Sequence, residues 1–327
     1  MRTTSDLINC TTEDFHSYVL GTKSSIESEL ERLLSKISDV KLHPLLEFAL
    51  LSNGKRLRPI LTVLSAQSVG GDAKKVEQLA LSFELLHTAT LVHDDIIDED
   101  TCRRGVKTLY SKWFTKGALL AGDALIALSV NLATDFGPEI MKILSNAGLE
   151  ISDGEYVDAV LPLDDATEQQ YFTKINKKSA SLFRCATSCG ALAAGGTPSE
   201  VEALGKFGEY FGMAYQVNDD IDDLLGKNQI SRDLRNGNVT LPLLYLYQHG
   251  NVAAKELVKR NFGNRNVTLT VMEEVKERME ELGAFRYCRG KIRQYIEKSQ
   301  SSLEVVRDSK FKDYLKRFSG YFDEFEG

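Results

Sequence analysis

Proline is scarce, with six in 327 residues, and only one tryptophan is present. Few prolines remove the main interruption to long helices and leave no proline-rich linker or polyproline segment. Cysteine is equally sparse. The five, at 10, 102, 185, 189 and 288, are an odd number in a long chain and do not make a disulfide framework. Reduced thiols are expected, and no Cys/His pair has zinc-site spacing. Basic surplus is absent too: 40 Lys and Arg stand against 47 Asp and Glu, for a net charge of −7. That balance argues against a broad nucleic-acid-binding face. No continuous run of about 18 apolar residues is apparent, so no membrane span is expected. The first ten residues are polar, and no targeting signal is expected there. A cytoplasmic location follows as an expectation.

What is present is helical periodicity. Ile26, Leu30, Leu33, Leu34 and Ile37 recur on one helical face, with Glu27, Glu29, Glu31 and Lys36 between them. A second helix is predicted from Ile60 to Val69, stopped by Gly70 and Gly71. A third runs from about Lys74 to Asp100. Others fit 118–135, 138–160, 168–194, 199–225, 241–248, 252–261, 268–282 and 284–305. No useful strand pattern and no Gly/Ser-rich linker appear. One all-α domain over 1–327 is expected, with a motif-bearing core at about 44–248 and a helical C-terminal part at 249–327.

Two aspartate clusters stand out. Asp94, Asp95 and Asp98 have i, i+1, i+4 spacing, and Asp219, Asp220 and Asp223 repeat it. The first and last member of each share a helix face. Like charges there would destabilise an isolated helix, and both clusters follow apolar residues: Leu91-Val92 and Met213-Ala214-Tyr215. Hard carboxylate oxygens suit Mg²⁺, which binds through one or two carboxylates and completes its shell with water and phosphate oxygens. A His-Asp phosphohydrolase, suggested by His93-Asp94, would need further histidines. His16, His43, His87 and His249 have no persuasive partner spacing.

Basic groups complement these clusters. Gly54-Lys55-Arg56-Leu57-Arg58-Pro59 pairs a glycine, open to close approach, with an arginine able to grip phosphate bidentately. Arg103-Arg104-Gly105 follows the first cluster. Lys177-Lys178-Ser179 and the loop with Lys227, Arg232 and Arg235 complete the set.

These motifs, in this order, resemble those of the trans-isoprenyl diphosphate synthases, the polyprenyl synthetase family. The likeness continues through Gly122-Asp123, Gln216 and Gly237-Asn238-x-Thr240-Leu241-Pro242. It implies an all-α isoprenoid-synthase-type bundle around a deep central cavity, usually as a homodimer. It implies Mg²⁺-dependent head-to-tail condensation of isopentenyl diphosphate with an allylic diphosphate. Carried over by motif, Asp94, Asp98 and Asp219 would hold three Mg²⁺ ions, with Asp220 and Asp223 supporting the third. Arg103, Lys178, Ser179, Gln216, and Lys227 or Arg232 would contact the allylic diphosphate. Lys55, Arg58, His87 and Arg104 would hold isopentenyl diphosphate. Ser179 stands where the family usually has threonine, and Asn238 where a second lysine often falls. The acidic tail, Asp323 to Gly327, offers no basic lid.

Short-chain members often place an aromatic residue four or five positions before the first aspartate. Here Thr90 and Ala89 occupy those positions, with Leu86 one turn deeper. Each turn is about 5.4 Å, close to one extended isoprene unit. A product of twenty carbons or more is therefore expected, within the C25 to C40 range. Leu128, Leu132 and Phe136 are candidates for the cavity floor. Such a product is poorly soluble, so transient membrane association for its release is expected without an anchor. The alternatives are a non-catalytic subunit of a heteromeric synthase and a terpene cyclase on the same fold.

Overall fold

The computed structural model describes residues 12–52, 54–103, 105–226 and 230–320. Cys10, Arg104, Lys227 and the tail at 323–327 lie outside the described residues. Fifteen α-helices occur among the described residues. They begin with α1 (Thr12–Lys36), α2 (His43–Leu50), α3 (Leu57–Ser68), α4 (Ala73–Ile97), α5 (Leu109–Thr134) and α6 (Pro138–Val160). Then come α7 (Glu168–Ile175), α8 (Ser181–Ala193), α9 (Pro198–Leu225), α10 (Arg232–Asn236) and α11 (Leu241–His249). The last are α12 (Val252–Asn261), α13 (Leu269–Leu282), α14 (Ala284–Ser302) and α15 (Lys310–Ser319). A minimal antiparallel hairpin, β1 (Cys102–Arg103) and β2 (Val106–Lys107), follows α4.

The all-α expectation holds. Instead of one helix over 168–194 there are two, separated by a five-residue π-helical turn, Asn176–Ala180. The helix containing the first aspartates ends at Ile97, with Asp98 as its cap, rather than at Asp100.

The contacts divide the chain into two compact units. One comprises Met1–Ser145, Cys185–Gly205 and Leu303–Phe318; the other comprises Asn146–Arg184, Lys206–Ser302 and Ser319–Gly327. In the first, an apolar cluster joins α1 to α5 through Ile26, Leu46, Val63, Leu81 and Leu125. The α1 aromatic Phe15 packs on Tyr314 and Phe318 of α15, with ring centroids 5.5 and 6.3 Å away. In the second unit, the core includes the fully buried Tyr171, Phe183, Phe207 and Phe211. Phe183 meets Phe211 edge-on at 5.3 Å.

One expectation needs correction. α5 is long and apolar enough, by length and composition, to cross a membrane. Gly117, Gly122, Asp123 and Ser129 break any continuous apolar run in it, but the helix as a whole stays apolar. Core helices of globular proteins can share that length and composition. Ala118, Ala121 and Leu125 do pack into the first unit's apolar cluster, whereas Leu119, Leu120, Ile126 and Val130 are exposed.

Candidate active site

α4 carries the first aspartate cluster. Asp72 caps its start, accepting from the Lys74 backbone N–H, and its middle is buried from Leu79 to Leu86. Its end is a Schellman turn with glutamate in the usual glycine place. Glu99 takes φ 53°, while the Asp100 N–H donates to the Asp95 carbonyl at 2.9 Å and the Glu99 N–H donates to Ile96 at 3.3 Å. The helix therefore stops at Ile97 with Asp98 as its cap, and Asp94 and Asp98 lie half-buried at its end.

Asp95 is buried and points elsewhere. It accepts from Arg103 Nε at 2.7 Å, so the hairpin returns Arg103 to the helix. Burial alone would lower the Arg103 pKa. The charges of Asp95, Asp94 and Asp100 outweigh it and raise the pKa above the ordinary arginine value.

Lys55 is exposed, Arg58 is buried in the first turn of α3, and His87 is half-buried on α4. Between Lys55 and Arg58 sits Arg56, left-handed at φ 53° and buried. Its guanidinium donates to Glu84 Oε1 at 2.6 Å, to the Leu50 carbonyl at 2.6 Å and to the Ser52 carbonyl at 3.0 Å. Arg56 is thus a brace that fixes the loop to α4 three residues before His87. The sequence places Arg56 in the same basic motif as Lys55 and Arg58, and no role for it is expected from the motif alone. Glu84, a carboxylate inside an apolar helix, was the available signal for its partner.

In the second unit, one chain of hydrogen bonds links the predicted residues. Ser179 Oγ donates to Gln216 Oε1 at 2.5 Å, and Gln216 Nε2 donates to Asp220 Oδ1 at 2.9 Å. The Tyr171 hydroxyl donates to the other Asp220 oxygen at 2.6 Å. Burial pushes the Asp220 carboxyl up to about 7, against the pull of Lys174 and of these hydrogen bonds. Asp219 and Asp223 are half-buried. Asp223 accepts from Ser231 Oγ and pairs with Arg232 Nε at 3.4 Å, at the start of α10.

Lys178 lies on the π-helical turn. Its ammonium sits 2.6 Å from Glu155 Oε2 and 2.7 Å from Asp158 Oδ2, both on α6. The other Asp158 oxygen takes Lys174 Nζ at 2.6 Å, and Lys174 also donates to the Val239 carbonyl at 2.5 Å. Burial would raise the Asp158 carboxyl. The two ammoniums overcome it and hold the group well below the usual carboxylate range. Sequence reasoning missed Glu155, Asp158, Lys174 and Tyr171. For the first three the signal was spacing: Glu155 and Asp158 lie i, i+3 on α6, and Lys174 lies four residues before Lys178; Tyr171 had none.

Two glycines press on this turn. A Cβ at Gly154 would overlap the Lys178 backbone nitrogen, and one at Gly212 would lie 2.7 Å from the Ala180 Cα. α6 and α9 therefore approach the turn at backbone distance.

The residues expected to set product length separate. Leu86, Thr90 and Asp94 follow one i+4 stripe along α4. Ala89 is fully buried in the apolar cluster of α1 to α5. Leu128 and Leu132 pack against that cluster, and Phe136 lies just beyond the end of α5.

Among the described residues, no three His, Cys, Asp or Glu side chains converge as a self-sufficient metal cage. Half-buried carboxylate pairs at helical spacing still fit a hard cation whose remaining ligands are water and phosphate oxygens.

Comparison with known proteins decides the class. The polyprenyl synthetase family model matches residues 40–279. The chain belongs to the polyprenyl synthetase family. It is 32% identical over 310 residues to geranylgeranyl pyrophosphate synthase of Geoglobus acetivorans, covering 91% of this chain and 95% of that protein. It is 33% identical over 287 residues to octaprenyl diphosphate synthase of Escherichia coli, covering 85% and 88% respectively. The polyprenyl synthase of Caulobacter crescentus, solved with calcium and isoprenyl diphosphate, superposes with a TM-score of 0.86 at 28% identity, over 93% of this chain and 96% of that one. As a polyprenyl synthetase, the protein is a prenyltransferase that joins isoprenoid diphosphates in the trans configuration. The family depends on divalent metal and uses isopentenyl diphosphate with an allylic diphosphate.

Proposed function

We propose that this polyprenyl synthetase makes an all-trans polyprenyl diphosphate longer than C15, within the C25 to C40 range. One observation carries the length: the stripe beneath Asp94 presents Thr90 and then Leu86, with no aromatic residue in its first two turns. Relatives named for C20 and C40 products bracket this reading.

The protein's residues have separable tasks in it. Asp94, Asp98 and Asp219 would hold Mg²⁺, three ions in all, with Asp223 beside them. Asp220, buried and hydrogen-bonded, positions Gln216 and Tyr171. When bound, the metal ions supply positive charge that stabilises the departing diphosphate. Lys178, Arg103, Ser179, Gln216, and Lys227 or Arg232 grip the allylic diphosphate. Lys55, Arg58, His87 and Arg104 seat isopentenyl diphosphate. Asp158 and Glu155 fix the position of the Lys178 ammonium. The whole chain works as a single domain, as a cytoplasmic homodimer that meets membranes only transiently. The exposed apolar face of α5, with Leu119, Leu120, Ile126 and Val130, supports the dimer.

The test is incubation of the pure protein with Mg²⁺, isopentenyl diphosphate and C5, C15 or C20 primers, followed by product sizing. Products beyond C20 are expected, and Thr90→Phe should shorten them while turnover continues. A terminal C15 product would sink the length assignment. Inactivity of the lone chain with every primer would favour a non-catalytic subunit. Sedimentation of wild type against Ile126→Lys tests the dimer.

A further inference from the structure

The second unit contains a cavity of about 340 Å³ bounded by α7, the π-helical turn, α9 and α14. No residue assigned above to metal or substrate lines it. Its volume lies in the range of small-molecule sites. Aromatic rings form much of its wall. Tyr210 and Tyr295 are stacked with centroids 6.4 Å apart, and Phe172 meets Tyr295 at 5.7 Å.

Most charged groups of the lining are already engaged: Lys177 pairs with Asp153, and Glu209 shares Arg184 with Glu150. Glu209 already accepts from Asn176 Nδ2 at 3.1 Å and from Arg184 at 3.2 Å. Lys298 has no carboxylate partner among the described residues, and its ammonium sits 5.3 Å from the Tyr295 centroid and 5.8 Å from that of Tyr210. Flat rings beside an ammonium that holds no ion pair favour a flat anion: the rings stack on it and the lysine meets its charge.

The cavity also touches the catalytic machinery. The turn that carries Lys178 and Ser179 is tied to α9 at two points, Asn176 to Glu209 and Ser179 to Gln216. The first tie is made by two residues of the cavity lining. An occupant that displaces or strengthens it acts on the turn's other end. π-helical turns occur frequently at functional positions.

We propose that this cavity is a regulatory site for a small aromatic carboxylate of one or two fused rings, acting on turnover through the Asn176–Ala180 turn. The rate effect rests on the prenyl-transfer reading above; the binding does not.

The probe is 2-naphthoate, added to the full-length protein and followed by saturation-transfer NMR and calorimetry. Binding is expected, weakened about tenfold by Lys298→Glu and by Tyr295→Ala. Lys298→Glu should retain wild-type circular dichroism and basal turnover. Saturating 2-naphthoate should change kcat by about twofold or more in wild type and not in Lys298→Glu. Absence of binding overturns the proposal, as does equal binding by Lys298→Glu. Equal affinity for cyclohexanecarboxylate removes the aromatic requirement and overturns the ligand class. Displacement by isopentenyl diphosphate or an allylic diphosphate places the probe in the catalytic site and also overturns it. Binding with unchanged kcat overturns the regulatory role.

Discussion

The two aspartate clusters have identical spacing and opposite wiring. In each, the outer aspartates are half-buried and the second aspartate is buried. Asp95 meets a full positive charge, the Arg103 guanidinium at 2.7 Å. Asp220 meets neutral donors, a tyrosine hydroxyl and a glutamine amide. The first arrangement stabilises charge on both partners. The second leaves a buried carboxyl whose pKa rises to about 7. A repeated motif therefore does not imply a repeated electrostatic environment. Position i+1 is in both cases a structural anchor that orients the residues around it.

The largest test of this comparison addresses the outer aspartates. Asp94→Ala and Asp219→Ala should each lower kcat by about a thousandfold or more while circular dichroism stays unchanged. If only one does so, the clusters do not share the chemistry. The inner pair should then separate the two. Asp95→Asn removes the partner of a largely buried guanidinium and should cost about 2–3 kcal/mol in denaturant unfolding. Asp220→Asn keeps polar contact with Tyr171 and Gln216, so about 1 kcal/mol or less is expected. Equal costs would break the comparison.

A third test contrasts the buried ion pairs of the two units, Arg56–Glu84 and Lys174–Asp158, both at 2.6 Å. Arg56→Met should cost about 3 kcal/mol, because it strands the buried Glu84 carboxylate, and Lys174→Met about 1–2 kcal/mol, because Asp158 keeps Lys178 on its other oxygen at 2.7 Å. Their kinetic signatures should differ. Arg56→Met raises KM for isopentenyl diphosphate, and Lys174→Met raises KM for the allylic substrate. A common shift in both KM values would show only general damage.

The smallest effect concerns Glu200. Arg307 donates to both its oxygens at 2.7 and 2.9 Å, and these bonds, with those from Thr197, lower its pKa from 4.5 to about 2. A lowered folded pKa stabilises the protein above the unfolded value and loses that effect as pH falls between them. Glu200→Gln should therefore lie below wild type in Tm above pH 5, and the gap should close toward pH 2. A gap that persists at low pH would show that charge is not its source.

Much of this was legible beforehand. Helices 138–160 and 252–261 agree to the residue, since Pro138 and Asn251 are strong local start signals. The aspartates, the cations and the serine were visible because their chemistry is carried by residue type and spacing. Other features depend on distant chain. The π-helical turn sits where α6 and α9 press on it through Gly154 and Gly212, which no local pattern in 168–194 reports. α2, His-Pro-Leu-Leu-Glu-Phe-Ala-Leu, is too short and too uniformly apolar to show a period. α15 was missed despite a readable stripe of Phe311, Tyr314, Leu315 and Phe318. Ala89 shows the limit of counting positions from a motif. Its distance from Asp94 was right for a length-setting residue, but the helix turns it into the apolar cluster.

The backbone lock at Gly154 and Gly212 has a consequence for how this sequence can change. A lysine held by side-chain packing moves whenever its neighbours are exchanged, so each exchange needs a compensating one. Here main chain bears on main chain, and most surrounding side chains can drift in volume without shifting Lys178. Tolerance is thereby concentrated: broad across the helices around the turn, and close to nil at two positions where the only acceptable side chain is a hydrogen atom.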